Sequence, residues 1–310
     1  TFDSTNNKVV VVYSDRGNSD YGTAIVGTVS GTSISFGSPV VFESADAEFT
    51  VATFDSNLSK VVVAYHDNGN SSYGTAVVGT VSGTGISFGT PVVFEAADTR
   101  DISATFDSTS NKVVIAYKDV GNSNYGTSIV GTVSGTSISF GSAAVYEAAE
   151  ASFNSVEFDP VNNKVVVAYQ DSGNSSHGTA IVGTVSGTSI SFGSAVVFSA
   201  SSTGTPVAVF DNNAGKTIIT YEDAGDSSKG KYSVGTISGT SITFDTAVLY
   251  SDGVGFLSTT YDSNSNKVVN GFRDSSNNYG TAVVIQPAFT NITRGQVPSG
   301  TQATTNIIGS

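Results

Sequence analysis

Residues 2–13 read FDSTNNKVVVVY, and this stretch decides the fold because the chain repeats it. Related stretches begin at residues 54, 106, 158, 210 and 261, so the copies are spaced by 52 residues four times and then by 51. A fixed period of this length is typical of repeat architectures in which each copy forms one supersecondary unit. The sequence therefore predicts six copies of one structural unit.

Each copy contains four runs rich in Val, Ile, Thr, Phe and Tyr, which are typical of strands. In the second copy these runs are FTVATF (49–54), KVVVAY (60–65), GTAVVGTV (74–81) and ISFGTPVVF (86–94). The segments between them are rich in turn-forming Gly, Asn, Asp and Ser, and no segment of helical length has a 3.6-residue apolar period. We therefore predict an all-β chain, a six-bladed β-propeller over residues 1–285 with four antiparallel strands, A to D, in each blade. An open β-solenoid and a string of small β-domains are the alternatives.

Both ends of the chain depart from the repeat. Residues 1–3 supply only the end of a first strand, and residues 286–310 do not match the repeat. This C-terminal tail is predicted either to supply a closing strand or to begin a following module. The absence of Met indicates a fragment or a processed product.

Charge and composition exclude several classes of partner. The 310 residues include 26 Asp and Glu but only 13 Lys and Arg, which gives a formal net charge of −13. Such a surface repels phosphates and anionic lipids, so nucleic acid is not expected as a partner. No run approaches the roughly 20 apolar residues that span a membrane, so membrane insertion is not expected either. The chain has no Cys, and therefore no disulfide and no thiolate metal site.

Variation between the copies is concentrated at one face of the predicted propeller. Antiparallel order places the B–C and D–A connections on one face and the A–B and C–D turns on the other. The C–D turn is nearly invariant (SGTS or SGTG), whereas the B–C and D–A segments differ from copy to copy. We interpret the B–C and D–A loop face as a candidate binding surface, the alternative being that loops drift because they pack little. The candidate ligand-binding residues are Ser14, Arg16, Tyr21, His66, Tyr73, Lys118, Tyr125, Gln170, His177, Glu222, Lys229, Arg273 and Tyr279.

An Asp follows strand B in every copy and begins the motif DxGNS in most of them. The six residues are Asp15, Asp67, Asp119, Asp171, Asp223 and Asp274. Oxygen ligands of this kind suit Ca²⁺, but a calcium site needs several such oxygens to converge, and each loop has one Asp at this position. We therefore predict an Asx-type turn, in which the carboxylate accepts backbone N–H groups. No cofactor is predicted, with Ca²⁺ as the alternative.

Catalytic signals are absent from the sequence. His66 and His177 have no Ser or Asp partner at a motif spacing, and no known hydrolase, metalloprotease or phosphate-binding motif occurs. The recurring Tyr residues could stack on sugar rings or brace the B–C loop. The chain is therefore predicted not to be an enzyme.

The stretches FDSTNNKVVVVY (from residue 2), GNSxYGTAIVGTVSGTSISFG (from residue 17) and PVVFESA (from residue 39) resemble the repeats of phage tail-fibre and related virion proteins, especially those of marine phages. The resemblance covers about residues 1–285, and the tail resembles the start of a module that often follows such repeats. It implies an extracellular position on the virion surface, other fibre or virion chains as partners, and recognition of a host cell-surface glycan or protein. The expected function is a non-catalytic receptor-binding or adhesion module of a tail fibre. A structural spacer or surface decoration protein without a ligand, and a glycan-cleaving enzyme, are the alternatives.

Overall fold

The computed structural model describes residues 1–287, in which every regular element is a strand or a single turn of 3-10 helix. The strands are β1 (Phe2–Asp3), β2 (Lys8–Asp15), β3 (Tyr21–Ser30), β4 (Ser33–Phe36), β5 (Val40–Asp55), β6 (Lys60–Asp67), β7 (Tyr73–Ser82), β8 (Gly85–Phe88), β9 (Val92–Asp107), β10 (Lys112–Asp119), β11 (Tyr125–Ser134), β12 (Ser137–Phe140), β13 (Ala144–Asp159), β14 (Lys164–Asp171), β15 (His177–Ser186), β16 (Ser189–Phe192), β17 (Val196–Asp211), β18 (Lys216–Asp223), β19 (Lys229–Ser238), β20 (Ser241–Phe244), β21 (Val248–Ser251), β22 (Val254–Asp262), β23 (Lys267–Asp274) and β24 (Gly280–Ile285). The 3-10 turns are Arg16–Asn18, Asn68–Asn70, Val120–Asn122, Ser172–Asn174 and Ala224–Asp226. Apart from Gln286 and Pro287, the predicted tail lies outside the described residues. In the described part, no helix has both the length and the apolar character that crossing a membrane requires.

The second repeat shows how the strands pair. Its central strand β6 lies between the second half of β5 and β7, and Val61 is opposite Phe54 on one side and Gly79 on the other. Strand β7 then pairs with β8 near its C-terminal end and with the first residues of β9 near its start. All of these pairs are antiparallel, and the third and fourth repeats use the same order. The predicted all-β, antiparallel organisation is confirmed.

The four strands β5, β9, β13 and β17 are 16 residues long, and each belongs to two repeats. In β5 the residues from Val40 to Asp46 pair with β3, and those from Ala47 to Asp55 pair with β6. The prediction of a D–A loop is therefore wrong at these four places, because the outer strand of one repeat continues directly into the inner strand of the next. The predicted single strand over residues 86–94 is also wrong, since it is broken between β8 and β9.

The break after β8 follows from a close contact at Gly89. A Cβ atom at this position would lie 1.9 Å from the carbonyl oxygen of Thr136, which belongs to the C–D turn of the next repeat. Only glycine permits this approach. The equivalent pairs are Gly37 with Thr84, Gly141 with Thr188, and Gly193 with Thr240. In the fifth repeat Asp245 takes the glycine position, and within residues 1–287 no C–D turn follows it.

The hydrophobic core lies between repeats, because both faces of each central strand are buried. In β6, Val61, Val63 and Tyr65 pack with residues of the first repeat, whereas Val62 and Ala64 pack with residues of the third. All five side chains are fully buried. This explains why KVVVAY lacks the alternation of apolar and polar residues that a sheet with one solvated face shows. Burying each Val contributes roughly 1.5–3 kcal/mol, so the layers between repeats hold the fold together.

A tyrosine–glutamate hydrogen bond connects neighbouring repeats within these layers. The Tyr117 hydroxyl donates to Glu95 over 2.9 Å, and the Tyr117 ring centroid lies 5.3 Å from that of Phe94. The equivalent pairs are Tyr65 with Glu43 and Tyr169 with Glu147. Burial raises the pKa of each of these glutamates, because desolvation disfavours the charged carboxylate, and the tyrosine hydrogen bond offsets part of the rise.

The first and last repeats are less complete than the others. Within residues 1–287, β2 pairs on its inner side only with the two-residue β1, and β24 has no strand on its outer side. Val29 and Ile34 of the first repeat are 54% and 43% exposed, whereas their equivalents Val81 and Ile86 are 6% and 7% exposed. The strands β1–β21 form one continuous hydrogen-bonded array, and β22–β24 form a separate sheet. Closure into a six-bladed ring stays a prediction.

Candidate functional site

The strand register brings two kinds of segment to one side of the molecule. They are the B–C turns and the bends of the long strands, which are the segments where a long strand passes from one repeat to the next (residues 46–49 in β5). Asp67 at the end of β6 lies opposite Tyr73 of β7, and Tyr73 lies opposite Asp98 of β9. This side is termed the variable face and consists of residues 14–21 and 46–49 with their equivalents in the other repeats. The register therefore supports the predicted grouping of the variable segments, although the D–A part is bent strand rather than loop.

The opposite side, termed the constant face, carries the A–B turns (residues 55–60 in the second repeat) and the C–D turns (residues 82–85). Gly83 is the first of two turn residues and has φ +61°, a conformation that favours glycine in such hairpins. Together with the contact at Gly89, this gives the invariance of the SGTS turn a backbone and packing cause. The constancy of this face therefore carries no information about the function of the other.

The recurring Asp residues cap the 3-10 turns of the variable face. Asp67 Oδ1 accepts the backbone N–H of Asn70 over 3.1 Å, and Asp119 accepts that of Asn122 over 3.0 Å. Asp15, Asp171 and Asp223 also accept a turn N–H, and Asp274 accepts that of Ser276. The predicted Asx-type role is confirmed. Within residues 1–287, no group of three or more His, Asp or Glu side chains is placed to hold a metal ion.

His66 is buried rather than presented to solvent. Its Nδ1 lies 2.8 Å from the carbonyl oxygen of Thr99, and its Nε2 lies 2.8 Å from Asn68 Oδ1. The side chain is only 3% exposed, and Phe49 packs edge-on against its ring at 5.9 Å. The expectation that His66 faces a ligand is wrong, because both ring nitrogens hold protein groups.

Lys118 is tied into a charge cluster between the third and fourth repeats. Its Nζ lies 2.9 Å from Asp101 Oδ2, 3.6 Å from Glu150 Oε1 and 3.2 Å from Ser152 Oγ. The Lys118 side chain is only 14% exposed. It therefore stabilises the arrangement of the bends and is not a free cation for a ligand.

The remaining predicted residues divide between exposed and internally bonded groups. Tyr21, Tyr73 and Tyr125 are partly buried, whereas Tyr279 is 71% exposed. His177 and Lys229 occupy the same position and are also partly buried, and Lys229 pairs with Asp226 at 3.0 Å. Gln170 donates to the Thr203 carbonyl, Glu222 packs beside Gly204, and the Arg273 guanidinium lies 5.0 Å from the centroid of the Phe256 ring.

A cleft of about 620 Å³ opens on the variable face between the first and second repeats. It is lined by Ser14, Arg16, Asp20, Asp46, Glu48 and Phe49. None of the ion pairs within residues 1–287 involves Arg16 or Glu48. Phe49 is 41% exposed at one wall. The cleft therefore offers a guanidinium, carboxylates and an aromatic ring to a ligand.

Only two of these six residues, Ser14 and Arg16, belong to the predicted set. Asp46, Glu48 and Phe49 lie in the variable segment DAEF, so the comparison of copies contained the signal that identifies them. Lys231 is also absent from the predicted set, although it lies 2.8 Å from Asp223 and 2.7 Å from Asp226. Hydrogen bonds that its ammonium group donates to these carboxylates raise the pKa of Lys231. The position is Thr in the preceding repeats, and that substitution is its only sequence signal.

A second cleft, of about 540 Å³, lies on the same face between the fifth and sixth repeats. Its lining is mostly Ser, with Asp252 and Asp274 as the carboxylates and Gly253 at its wall. It has no aromatic residue and no cation. The clefts at the two ends of the chain thus differ in chemistry.

No protein-family model and no curated protein sequence matches this chain. Among solved structures, BP39L lectin from Burkholderia pseudomallei is similar with a TM-score of 0.62 and 10% identity, covering 92% of this chain and 82% of that one. AofleA from Arthrobotrys oligospora has a TM-score of 0.56 at 9% identity, covering 92% and 84%. A prolyl endopeptidase has a TM-score of 0.54 at 14% identity, and the match covers 89% of this chain but only 37% of the endopeptidase chain. At these identities the likeness concerns the fold alone, and a fold shared by a lectin and a peptidase leaves function to be judged from the site.

Proposed function

We propose that this chain is a non-catalytic, carbohydrate-binding β-propeller that recognises a cell-surface glycan through its variable face. The cleft between the first and second repeats is the primary site. The sequence resemblance extends the proposal to a host-recognition role on a phage tail fibre, with other fibre chains as partners.

A closed ring of six blades is supported by the way the repeats pack. Each layer between consecutive repeats joins one face of a blade to the opposite face of the next. Val11 and Ile34 of the first repeat are 40% and 43% exposed, and Val284 of the sixth is 64% exposed. Of their equivalents in the second repeat, Val63 and Val78 are fully buried and Ile86 is 7% exposed. The exposed residues are thus the two halves of one further layer, which ring closure would form.

The observation that carries the glycan proposal is the set of polar groups in the first cleft that have no ion-pair partner. Arg16 can donate hydrogen bonds to sugar hydroxyl oxygens, and Glu48 can accept them from sugar hydroxyl groups. The exposed Phe49 ring supplies an apolar surface for the C–H face of a sugar. A few convergent polar groups around an apolar surface are typical of small-molecule sites. A lectin with this fold is a further support for sugar as the ligand class.

Charge narrows the class of glycan. The cleft holds Asp20, Asp46 and Glu48 against the single cation Arg16, and the whole chain carries −13. Sulfated, phosphorylated and carboxylated sugars are therefore disfavoured. Neutral or amino-bearing glycans fit best. Several fibre chains displaying weak sites of this kind would gain by avidity.

The test is binding of the labelled full chain to a panel of neutral and acidic bacterial polysaccharides. Glu48→Ala and Arg16→Ala remove the two unpaired charges, and Asn57→Ala, on the constant face, is the matched control. Losing a charged hydrogen bond is expected to weaken binding by roughly 10- to 100-fold for each cleft variant. The control should bind like the wild type.

Three results would overturn the proposal. The first is absence of binding to every polysaccharide, which would favour a structural spacer. The second is equal binding by wild type and both cleft variants, which would place the ligand elsewhere. Release of sugar products from a bound polysaccharide would replace the binding role with glycan cleavage.

A further inference from the structure

Each inner strand that the structure describes in full contains a bulge with one residue in the left-handed region of φ. These residues are Phe49 (+47°), Asp101 (+49°), Phe153 (+55°), Thr205 (+42°) and Phe256 (+53°). The strand register shifts at the same place in all five repeats. The bulge is therefore a repeated feature of each inner strand, and in β5 it lies two residues after the chain has begun to pair with the next repeat at Ala47.

Four of the five side chains at this position, three Phe and one Thr, are unfavourable at a positive φ. A positive φ costs little for Gly and is tolerated by Asn, but it strains bulky and β-branched residues. The chain contains 34 Gly and places one at positive φ in each described C–D turn, yet it keeps Phe at three of the five bulges. Such strain concentrates at functional sites.

The Phe rings at the bulges also gain little from burial. Phe49, Phe153 and Phe256 are 41%, 44% and 78% exposed. A phenylalanine that is both strained and exposed contributes little to stability. Phe49 packs against His66 and Phe256 lies under Arg273, whereas within residues 1–287 no aromatic ring or cation packs on Phe153. The exposed Phe153 ring therefore points to contact with something outside the fold.

Two of these rings face a common cavity. Bulges of four consecutive inner strands surround a space of about 270 Å³, lined by Phe49, Ile102, Phe153 and Thr205 among others. Phe256 does not line it and lies beneath the Arg273 guanidinium. We term this space the axial cavity. Phe49 also lines the first cleft, so the two sites form one continuous surface.

The groups of the axial cavity that can hold a ligand are mainly apolar. Asn154 accepts the Tyr146 hydroxyl and donates to the Asp101 carbonyl, and Ser155 accepts the N–H of Ala208. The Asp101 carboxylate is paired with Lys118 as described above. What remains open is the pair of Phe rings with nearby Thr hydroxyls, an arrangement that suits a flat ligand with an apolar face and a polar rim.

We propose that the axial cavity binds the apolar face of a terminal pyranose ring, held against Phe153 and Phe49. This inference rests on the proposed glycan-binding function and assigns the end of the glycan to a second position next to the cleft. The volume of the cavity is below that of sites for drug-sized ligands, which suits one sugar ring.

A pair of glycine variants of the full chain separates ligand contact from structure. Phe153→Gly removes a cavity ring and relieves its backbone, whereas Phe256→Gly does the same at an equivalent bulge outside the cavity. Neither variant is expected to lower Tm. Phe153→Gly should weaken binding of methyl glycosides by about fivefold or more, and Phe256→Gly should leave it within about twofold.

A tryptophan reporter tests the position of the sugar directly, because the chain contains no Trp. Phe153→Trp places one at the cavity, and Val161→Trp places a control on the constant face, where Val161 is 67% exposed. The probes are methyl glycosides of glucose, galactose, mannose, fucose and N-acetylglucosamine, with cyclohexanol as an apolar non-sugar. We expect at least one glycoside to change the emission of the first variant only, with different strength for different epimers.

Three results would overturn the inference. They are unchanged binding in Phe153→Gly, no emission response to any glycoside at position 153, and a response to cyclohexanol equal to that for sugars. If the polysaccharides still bind and the cleft variants still lose binding, the proposed function stands while the axial site fails. If no glycan binds the wild type at all, both fail together.

Discussion

Replacing Glu157 with Thr tests whether the inner strands tolerate a charged carboxylate. Glu157 lies on β13 at a register position where β5, β9 and β22 carry Thr53, Thr105 and Thr260. Burial raises the pKa of the Glu157 carboxyl to about 8, and a hydrogen bond with the backbone of Phe210 offsets part of the rise. The charged form is therefore disfavoured in the folded state.

The direction and size of the effect follow from this pKa. The folded pKa of Glu157 lies above the ordinary value of 4.5. The stability that the protonated carboxyl contributes is therefore fully present below about pH 4.5 and is lost as the pH rises through about 8. The difference between the two values, at about 1.4 kcal/mol per pH unit, sets a ceiling of roughly 5 kcal/mol at high pH. Glu157 keeps partial contact with water, so we expect about 2–3 kcal/mol.

The assay is urea unfolding of the wild type and Glu157→Thr across this range. At about pH 8.5 the variant should be the more stable by about 2–3 kcal/mol, and below about pH 4.5 this advantage should vanish. Glu157→Gln keeps the size of the side chain without a titrating group and should show the same pH dependence relative to wild type. A difference between variant and wild type that does not change with pH would refute the reasoning.

Two further substitutions test the turns and the layers between repeats. Gly83→Ala should lower the free energy of unfolding by about 1 kcal/mol through its φ of +61° alone, since no atom would lie within 4 Å of the new Cβ. Gly85→Ala is the control. Equal losses of stability for the two variants in urea unfolding would contradict the turn assignment. Tyr117→Phe should cost about 1–2 kcal/mol because Glu95 loses its buried partner. The exposed Tyr279→Phe should cost almost nothing, and a similar Tm for both variants would remove the role given to the tyrosine–glutamate bond.

Strands and repeats could be predicted from sequence because their causes are local. Runs such as KVVVAY, bounded by Asn, Gly and Ser, are sufficient to locate the central strands. The continuity of the long strands could not be predicted, because the change of partner strand between Asp46 and Ala47 depends on contacts with other strands and leaves no local signal in the sequence. The outer strand consequently passes into the next repeat without the turn residues that mark a loop.

The variable face could be located but not resolved into ligand contacts. Lys118 differs from its equivalents because it pairs with the Asp101 side chain, whereas His66 contacts a backbone carbonyl, that of Thr99, which any residue type would supply. Variation of one position alone cannot distinguish a partner within the protein from a partner outside it. Variation of two positions together can make this distinction, because Lys118 occurs in the same repeat as Asp101.

The most direct test is a crystal structure of the full chain with an oligosaccharide that the polysaccharide panel identifies. We expect the sugar on the variable face, in contact with Arg16 and Glu48 and with its terminal ring against Phe153. A sugar seated on the constant face, or a chain that binds no glycan of any kind, would contradict carbohydrate recognition by the variable face.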